Sequence, residues 1–183
     1  MKIDKLWNGL KRIANGDYVL EGDLISEETI EIDLDDRFVV RGRIQTKKSI
    51  VVRCGIEAGW GIEAGCGIKA GCGIEAGEGI EAGWGIEAGW GIKAGWGIEA
   101  GWGIEAGEGI EAGWGIEAGW GIEAGWGIEA KKFIDVQKRI FAGVSVYRTS
   151  KDCDKTIRCA ELRNGEICYG DLTLTKEDKP DEG

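Results

Sequence analysis

Between Gly55 and Ala130 a charged side chain recurs at every sixth position, Glu57, Glu63, Lys69, Glu75 and onward to Glu129, and a second set of functional side chains recurs three residues later. Carboxylates can transfer protons, hold cations or pair with basic surfaces, and the surrounding residues choose among these roles. Acid–base work needs two groups whose environments drive their pKa values apart, whereas these glutamates sit in identical phrases. The chain has no histidine, which removes an imidazole base and any Ser-His-Asp arrangement. Its glycines come with glutamates, which repel phosphate, instead of with the Lys-Ser/Thr pair of a phosphate loop. The Asp/Asn-rich glycine loops of calcium solenoids are missing. Of the cysteines, Cys153, Cys159 and Cys168 read C-x5-C-x8-C, which is no standard zinc spacing. Cys54 and Cys72 lie 18 residues apart and Cys66 falls elsewhere in the period; reduced structural thiols are expected, a bridge or metal being the alternative. The residues therefore predict a protein that is not an enzyme and that carries no cofactor and no metal.

The element that positions these groups is one phrase, Gly-Ile-Glu-Ala-Gly-Trp, repeated with few substitutions. Two glycines in six residues cost about 1 kcal/mol each against alanine in a helix, and a period of six does not hold one helical face together. In an extended chain, successive side chains point to opposite faces, so Ile and Ala go inward and Glu outward. Gly-Trp-Gly is then the corner, where glycine supplies backbone angles that other residues resist. Short strands joined by corners of one length make a β-solenoid. The predicted class is all-β: a triangular, single-stranded β-solenoid with six-residue sides and about 18 residues per coil; a two-sided coil of about 12 is the alternative that the period allows. The corner site carries Cys54, Trp60, Cys66, Cys72, Glu78, Trp84, Trp90, Trp96, Trp102, Glu108, Trp114, Trp120, Trp126 and Lys132. An interior site would not accept unpaired Glu or Lys, so the tryptophans are expected mostly outside.

On these inward Ile/Ala pairs and six-residue units the chain resembles the hexapeptide-repeat β-helices and the bactofilin-like triangular β-helices. In the left-handed acyltransferase pattern the small residue precedes the aliphatic one by two, whereas here Ala58 follows Ile56 by two. The phase extends outward from the perfect repeats through Ile32/Leu34, Phe38/Val40, Ile44/Thr46 and Ile50/Val52, then through Ile134/Val136 and Ile140/Ala142, failing at Val146/Arg148. The expected organisation is an N-terminal capping segment over 1–31, a solenoid over 32–148 of about 6 coils and ~30 Å, and a cap and tail over 149–183. Ile3, Leu6, Trp7, Leu10 and Ile13 form a helical stripe that predicts a helix from Met1 to Ala14, closed by Asn15-Gly16 and covering the first coil. Around Asn164-Gly165 the segment Thr156 to Thr175 reads as a β-hairpin cap, with a polar tail from Lys176 to Gly183. No apolar run of eighteen residues and no signal peptide is visible, so a soluble, cytoplasmic protein without membrane contact is expected.

Charge gives the functional reading. Gly55 to Ala130 holds 13 Glu and 2 Lys, a net of −11, while the remainder is nearly balanced within a total of −10. Over ~20 Å of rod this is about one charge per 1.8 Å, close to the ≈ 1.7 Å of duplex DNA. In charge and rod shape the chain resembles solenoid DNA mimics such as the pentapeptide-repeat inhibitors, and small acidic phage inhibitors of bacterial defence nucleases, including anti-CRISPR proteins. That resemblance implies an inhibitor whose partner is a basic protein surface, a nucleic-acid-binding enzyme, and not nucleic acid itself. A self-assembling, bactofilin-like scaffold and an acyltransferase relative are the alternatives. Taken modulo 18, the outward column Glu63, Glu81, Glu99, Glu117 and Asp135 is acidic throughout, whereas the other two columns each contain a lysine, Lys69 or Lys93. With the corner ladder Trp84, Trp102 and Trp120 expected on the same side, this column is the candidate binding surface.

Overall fold

The structure is a computed structural model and describes residues 1–7, 9–144 and 154–175. Every repeat forms a three-residue strand on Ile-Glu-Ala or Ile-Lys-Ala, lengthened by its leading glycine at Gly115–Ala118 and Gly121–Ala124, with Gly-X-Gly as the bend between strands. Each strand pairs in parallel with the strand one full coil away, Ile62 with Ile80, Ile80 with Ile98 and Ile98 with Ile116, so the coil length is 18 residues. Three such columns build a three-sided β-solenoid of about eight coils. We name its sides by a central residue: the Glu81 face, the Glu87 face and the Lys93 face. Isoleucine and alanine from all three fill the interior, with every repeat Ile and Ala buried. Backbone hydrogen bonds run along the rod, as in Ile62 N–H to the Gly79 carbonyl at 3.0 Å and Gly65 N–H to the Thr46 carbonyl at 2.9 Å. Successive coils are thereby tied together at corners as well as along strands.

The repeat glycines serve a different purpose from the one expected. None of them has a positive φ. The glycine before each corner residue instead presses on the coil behind it: a β-carbon at Gly95 would overlap the Gly77 carbonyl oxygen, and Gly77, Gly83 and Gly101 are in the same position. The glycine after the corner residue is looser, with 3.4 Å between a β-carbon at Gly97 and the Gly115 oxygen. Gly95→Ala should therefore force neighbouring coils apart, costing about 1–3 kcal/mol, while Gly97→Ala should stay within about 0.5 kcal/mol of the parent. Thermal melts followed by circular dichroism test the contrast; equal melting temperatures would mean that the corners yield freely.

Both chain ends depart from the expected caps. Among the described residues there is no helix, and so none long and apolar enough to cross a membrane. The stretch expected as a helix contains two short strands. Lys2–Asp4 pairs in parallel with the strand containing Ile32, and Lys11–Arg12 pairs antiparallel with Tyr18 and Val19. Ile3 is buried while Leu6 is 92% exposed, so the helical stripe is not used as a face. A helix of this length is marginal alone, and the exposed backbone edge of the first coil offers hydrogen bonds that a helix would leave unmet. Lys5 and Tyr18 grip Asp35 at 2.7 and 2.9 Å, and their hydrogen bonds hold its carboxyl down at about 2.

The expected C-terminal hairpin is likewise replaced by more solenoid. Glu161–Tyr169 lies parallel to Phe133–Ala142, and Asp171–Leu174 lies parallel to Thr156–Cys159. Asn164 and Gly165 sit within a strand instead of at a hairpin tip. Here Ile157, Leu162 and Ile167, which pack in or against the core, and the exposed Leu172 step by five; Ile157 pairs with Leu172, a coil of 15 residues. The shorter sides meet six-residue sides through register shifts along Phe133–Ala142, and Gly165 and Gly170 take positive φ to make the tighter bends. At the other end the coils are longer. Ile30 pairs with Ile50, twenty residues on, because the side from Ile30 to Phe38, the first inward residue of the next side, takes eight positions instead of six. The inward pair there is Ile30/Ile32 instead of Ile32/Leu34, with Leu34 buried inside the wide corner. The break at Val146, the tail from Lys176 and Cys153 lie outside the described residues.

Candidate functional site

The three faces differ in how their outward charges are met. On the Lys93 face, Arg37 contacts Glu57 at 2.7 Å, Lys93 contacts Glu111 at 3.2 Å and Arg158 contacts Glu129 at 2.8 Å. On the Glu87 face, Lys69 pairs with Glu87 at 2.6 Å, and the acidic run ends on Phe141 and then Tyr169. The Glu81 face contains no such neutralisation. Glu63, Glu81, Glu99, Glu117 and Asp135 stand opposite one another on successive strands, as expected from their spacing. Among the described residues Glu81, Glu99 and Glu117 have no ion-pair partner. Both ends of the column are closed by amides instead of cations, Gln45 donating to Glu63 at 2.9 Å and Asn164 donating to Asp135 at 2.9 Å.

Like charges directly opposite each other across strands repel. The repulsion registers at Glu81, whose carboxyl is pushed up by burial and by the flanking Glu99 and Glu63. A raised folded-state pKa means that stability from the protonated form is fully present below the ordinary value of 4.5 and is lost as pH rises through the folded value. Glu81→Gln should accordingly raise the melting temperature by about one or two degrees at neutral pH and low salt. That gain should vanish below pH 4.5, and a gain independent of pH would show that repulsion is not its source.

The aromatic rows are exposed, as the corner site requires: Trp60, Trp84, Trp90, Trp96, Trp102, Trp114 and Trp120 are all open to solvent, Trp84 most at 69%. Their placement corrects the expected pairing of ladder and stripe. Corner side chains that line a groove do so together with the glycine and the strand that follow them, as Trp60 does with Gly61 and Glu63 and Trp102 with Gly103 and Glu105. Trp102 and Trp120 thus share a groove with Glu87, Glu105 and Glu123. They stack on each other with centroids 4.9 Å apart and rings 2° from parallel, and Lys138 lies 5.8 Å over Trp120. Trp84 occupies the same corner row one coil earlier. The Glu81 face is walled by a different row, Trp60, Glu78, Trp96 and Trp114, over a floor of Gly61, Gly79, Gly97 and Gly115, in a groove of about 510 Å³. Spacing alone assigns a corner to both adjoining faces, and glycine flanks each corner residue on both sides, so nothing in the sequence marked these four residues.

A groove of about 860 Å³ runs along the Lys93 face and includes Cys54, Cys72, Trp90 and Trp126. Cys54 and Cys72 stack on successive coils, Cys72 N–H donating to the Cys54 carbonyl at 3.1 Å, and burial followed by the neighbouring Cys72 pushes the Cys54 thiol up. The cysteines among the described residues are all free thiols. Among those residues no three or more Cys, Asp or Glu side chains converge as a metal site. Comparison of the chain with protein families, curated proteins and solved structures finds no match.

Proposed function

We propose that the protein is a non-enzymatic acidic rod whose Glu81 face occupies the basic channel of a nucleic-acid-binding enzyme, acting as a DNA mimic that inhibits it. One observation carries the reading: four glutamates and an aspartate stacked in register on one side, with amides in place of cations at both ends. In-register strands space those carboxylates by about 4.8 Å, the same order as the ≈ 3.4 Å per phosphate of one DNA strand. The lysines that relieve the other two faces, Lys69 and Lys93, are absent here. A channel lined with Lys and Arg would release its counterions to such a column as it does to phosphates, so binding should fall steeply with salt.

Capture of a partner from a bacterial lysate at low salt, followed by elution with duplex DNA, tests this. Release by DNA and by salt supports mimicry. A partner that stays bound in excess DNA and at physiological salt would overturn it.

A self-assembling scaffold is the second reading, and the terminal strand favours it. Among the described residues Asp171–Leu174 has a partner on one edge only, with Leu172 and Leu174 exposed. An open edge of this kind invites pairing with another chain. Filaments of the full-length protein in negative-stain images would support the scaffold over the inhibitor.

A further inference from the structure

The tryptophan row beside the Glu81 face is interrupted once. Trp60, Glu78, Trp96 and Trp114 follow one another on successive coils, with Glu78 N–H donating to the Trp60 carbonyl at 3.1 Å and Trp96 N–H to the Glu78 carbonyl at 3.2 Å. Where two tryptophans are consecutive, as at Trp102 and Trp120, the rings close on each other at 4.9 Å. Glu78 opens that spacing to two strand separations, about 9.6 Å. A group midway lies about 4.8 Å from either ring, inside the ~6 Å reach of a cation–π contact.

We propose that this notch seats an arginine side chain of the partner, its guanidinium pairing with Glu78 and Glu81 between the indoles of Trp60 and Trp96. The proposal rests on the reading that the Glu81 face binds a basic surface, and it names the side chain that the surface must present. Rings of the same row already accept cations from their own chain, Arg43 lying 5.7 Å over Trp60 and Lys132 lying 5.7 Å over Trp114. Trp96 has no such cation among the described residues. Glu78 and Glu81 line the same groove as both rings, and neither has an ion-pair partner among the described residues. Arginine suits the seat better than lysine. Its planar fork reaches two carboxylates while its faces stack on aromatic rings, whereas an ammonium is a single, strongly hydrated point charge.

A second interruption, Glu108 between Trp90 and Trp126, supplies an internal control. It opens onto the Lys93 face, where Lys93 already holds the neighbouring Glu111 at 3.2 Å. The two notches share the order Trp, Glu, Trp, and at Glu108 the second carboxylate is already paired.

The test measures binding of the full chain to oligoarginine and oligolysine peptides of equal length by titration calorimetry at physiological salt. Wild type should prefer oligoarginine by about tenfold. Glu78→Trp inserts the residue that most other repeats carry at this corner, so the coil can accept it, and it closes the notch. It should abolish the preference while leaving oligolysine binding within about twofold. Glu108→Trp, with the same change in charge, should keep the preference. Equal binding of the two peptides by wild type, or equal behaviour of the two variants, would overturn the arginine seat. Failure of wild type to bind either peptide would instead overturn the basic-partner reading on which the seat rests.

Discussion

Ile98→Asp is expected to destabilise the rod by more than about 4 kcal/mol. Ile98 is 1% exposed and stands between Ile80 and Ile116 in its column. Losing an isoleucine of this burial costs about 2–5 kcal/mol by itself. The carboxylate then adds the penalty of a charge with no partner, because the only buried polar or charged side chains among the described residues are Asp17 and Thr46, both on N-terminal coils. Total stabilities run about 5–15 kcal/mol, so the coils around position 98 should open. A solenoid is held by nearest-neighbour contacts alone, and rapid proteolysis near the substitution should accompany the fall in melting temperature. Ile25→Asp is the matched control, since Ile25 is 59% exposed at an outward position and should tolerate the charge. An unchanged melting temperature for Ile98→Asp would refute the inward assignment of the isoleucine column.

Reversing Glu81, Glu99 and Glu117 to lysine is expected to abolish partner binding, by about 100-fold or more, since like charges facing a basic channel cost several kcal/mol. Reversing Glu87, Glu105 and Glu123 changes the net charge equally, from −10 to −4, yet should weaken binding by less than about tenfold. The difference isolates arrangement from amount. Circular dichroism must show both triple variants folded; equal losses would mean that net charge alone governs association and that the Glu81 face has no special standing.

The central coils were legible because the repeats are nearly identical and the inward positions tolerate little else. The modulo-18 columns hold residue for residue, from Glu63 opposite Glu81 to Glu117 opposite Asp135. Legibility failed where the period itself drifts. Two extra residues at the Asp35-Asp36 corner shifted the inward pair from Ile32/Leu34 to Ile30/Ile32, and the five-residue steps after Ile157 looked like the end of the solenoid. At both ends local signals, a helical stripe and an Asn-Gly pair, lost to an exposed sheet edge, whose unmet backbone groups reward any strand that docks on them. The acidic stripe was found from charge and spacing, but its aromatic wall was not. Glycine flanks each corner residue on both sides, and spacing contains no direction, so the face that a corner ring joins was not written in the repeat.

The 18-residue coil also makes the molecule a ruler with a fixed set of permitted lengths. Adding or removing 18 residues lengthens or shortens the rod by one strand separation and leaves every column intact. Adding or removing a single Gly-Ile-Glu-Ala-Gly-Trp phrase turns everything downstream by one third of a revolution. If six residues were lost between Glu81 and Glu99, position 105 would follow Glu81 and position 99 would follow Glu75; the Glu81 stripe would be cut in two, its first half running on to Phe141 and its second half joining Glu57 and Glu75, where Arg37 already pairs with Glu57. Tandem repeats in a gene expand and contract readily, so for this chain the tolerated changes in length are those that count in threes.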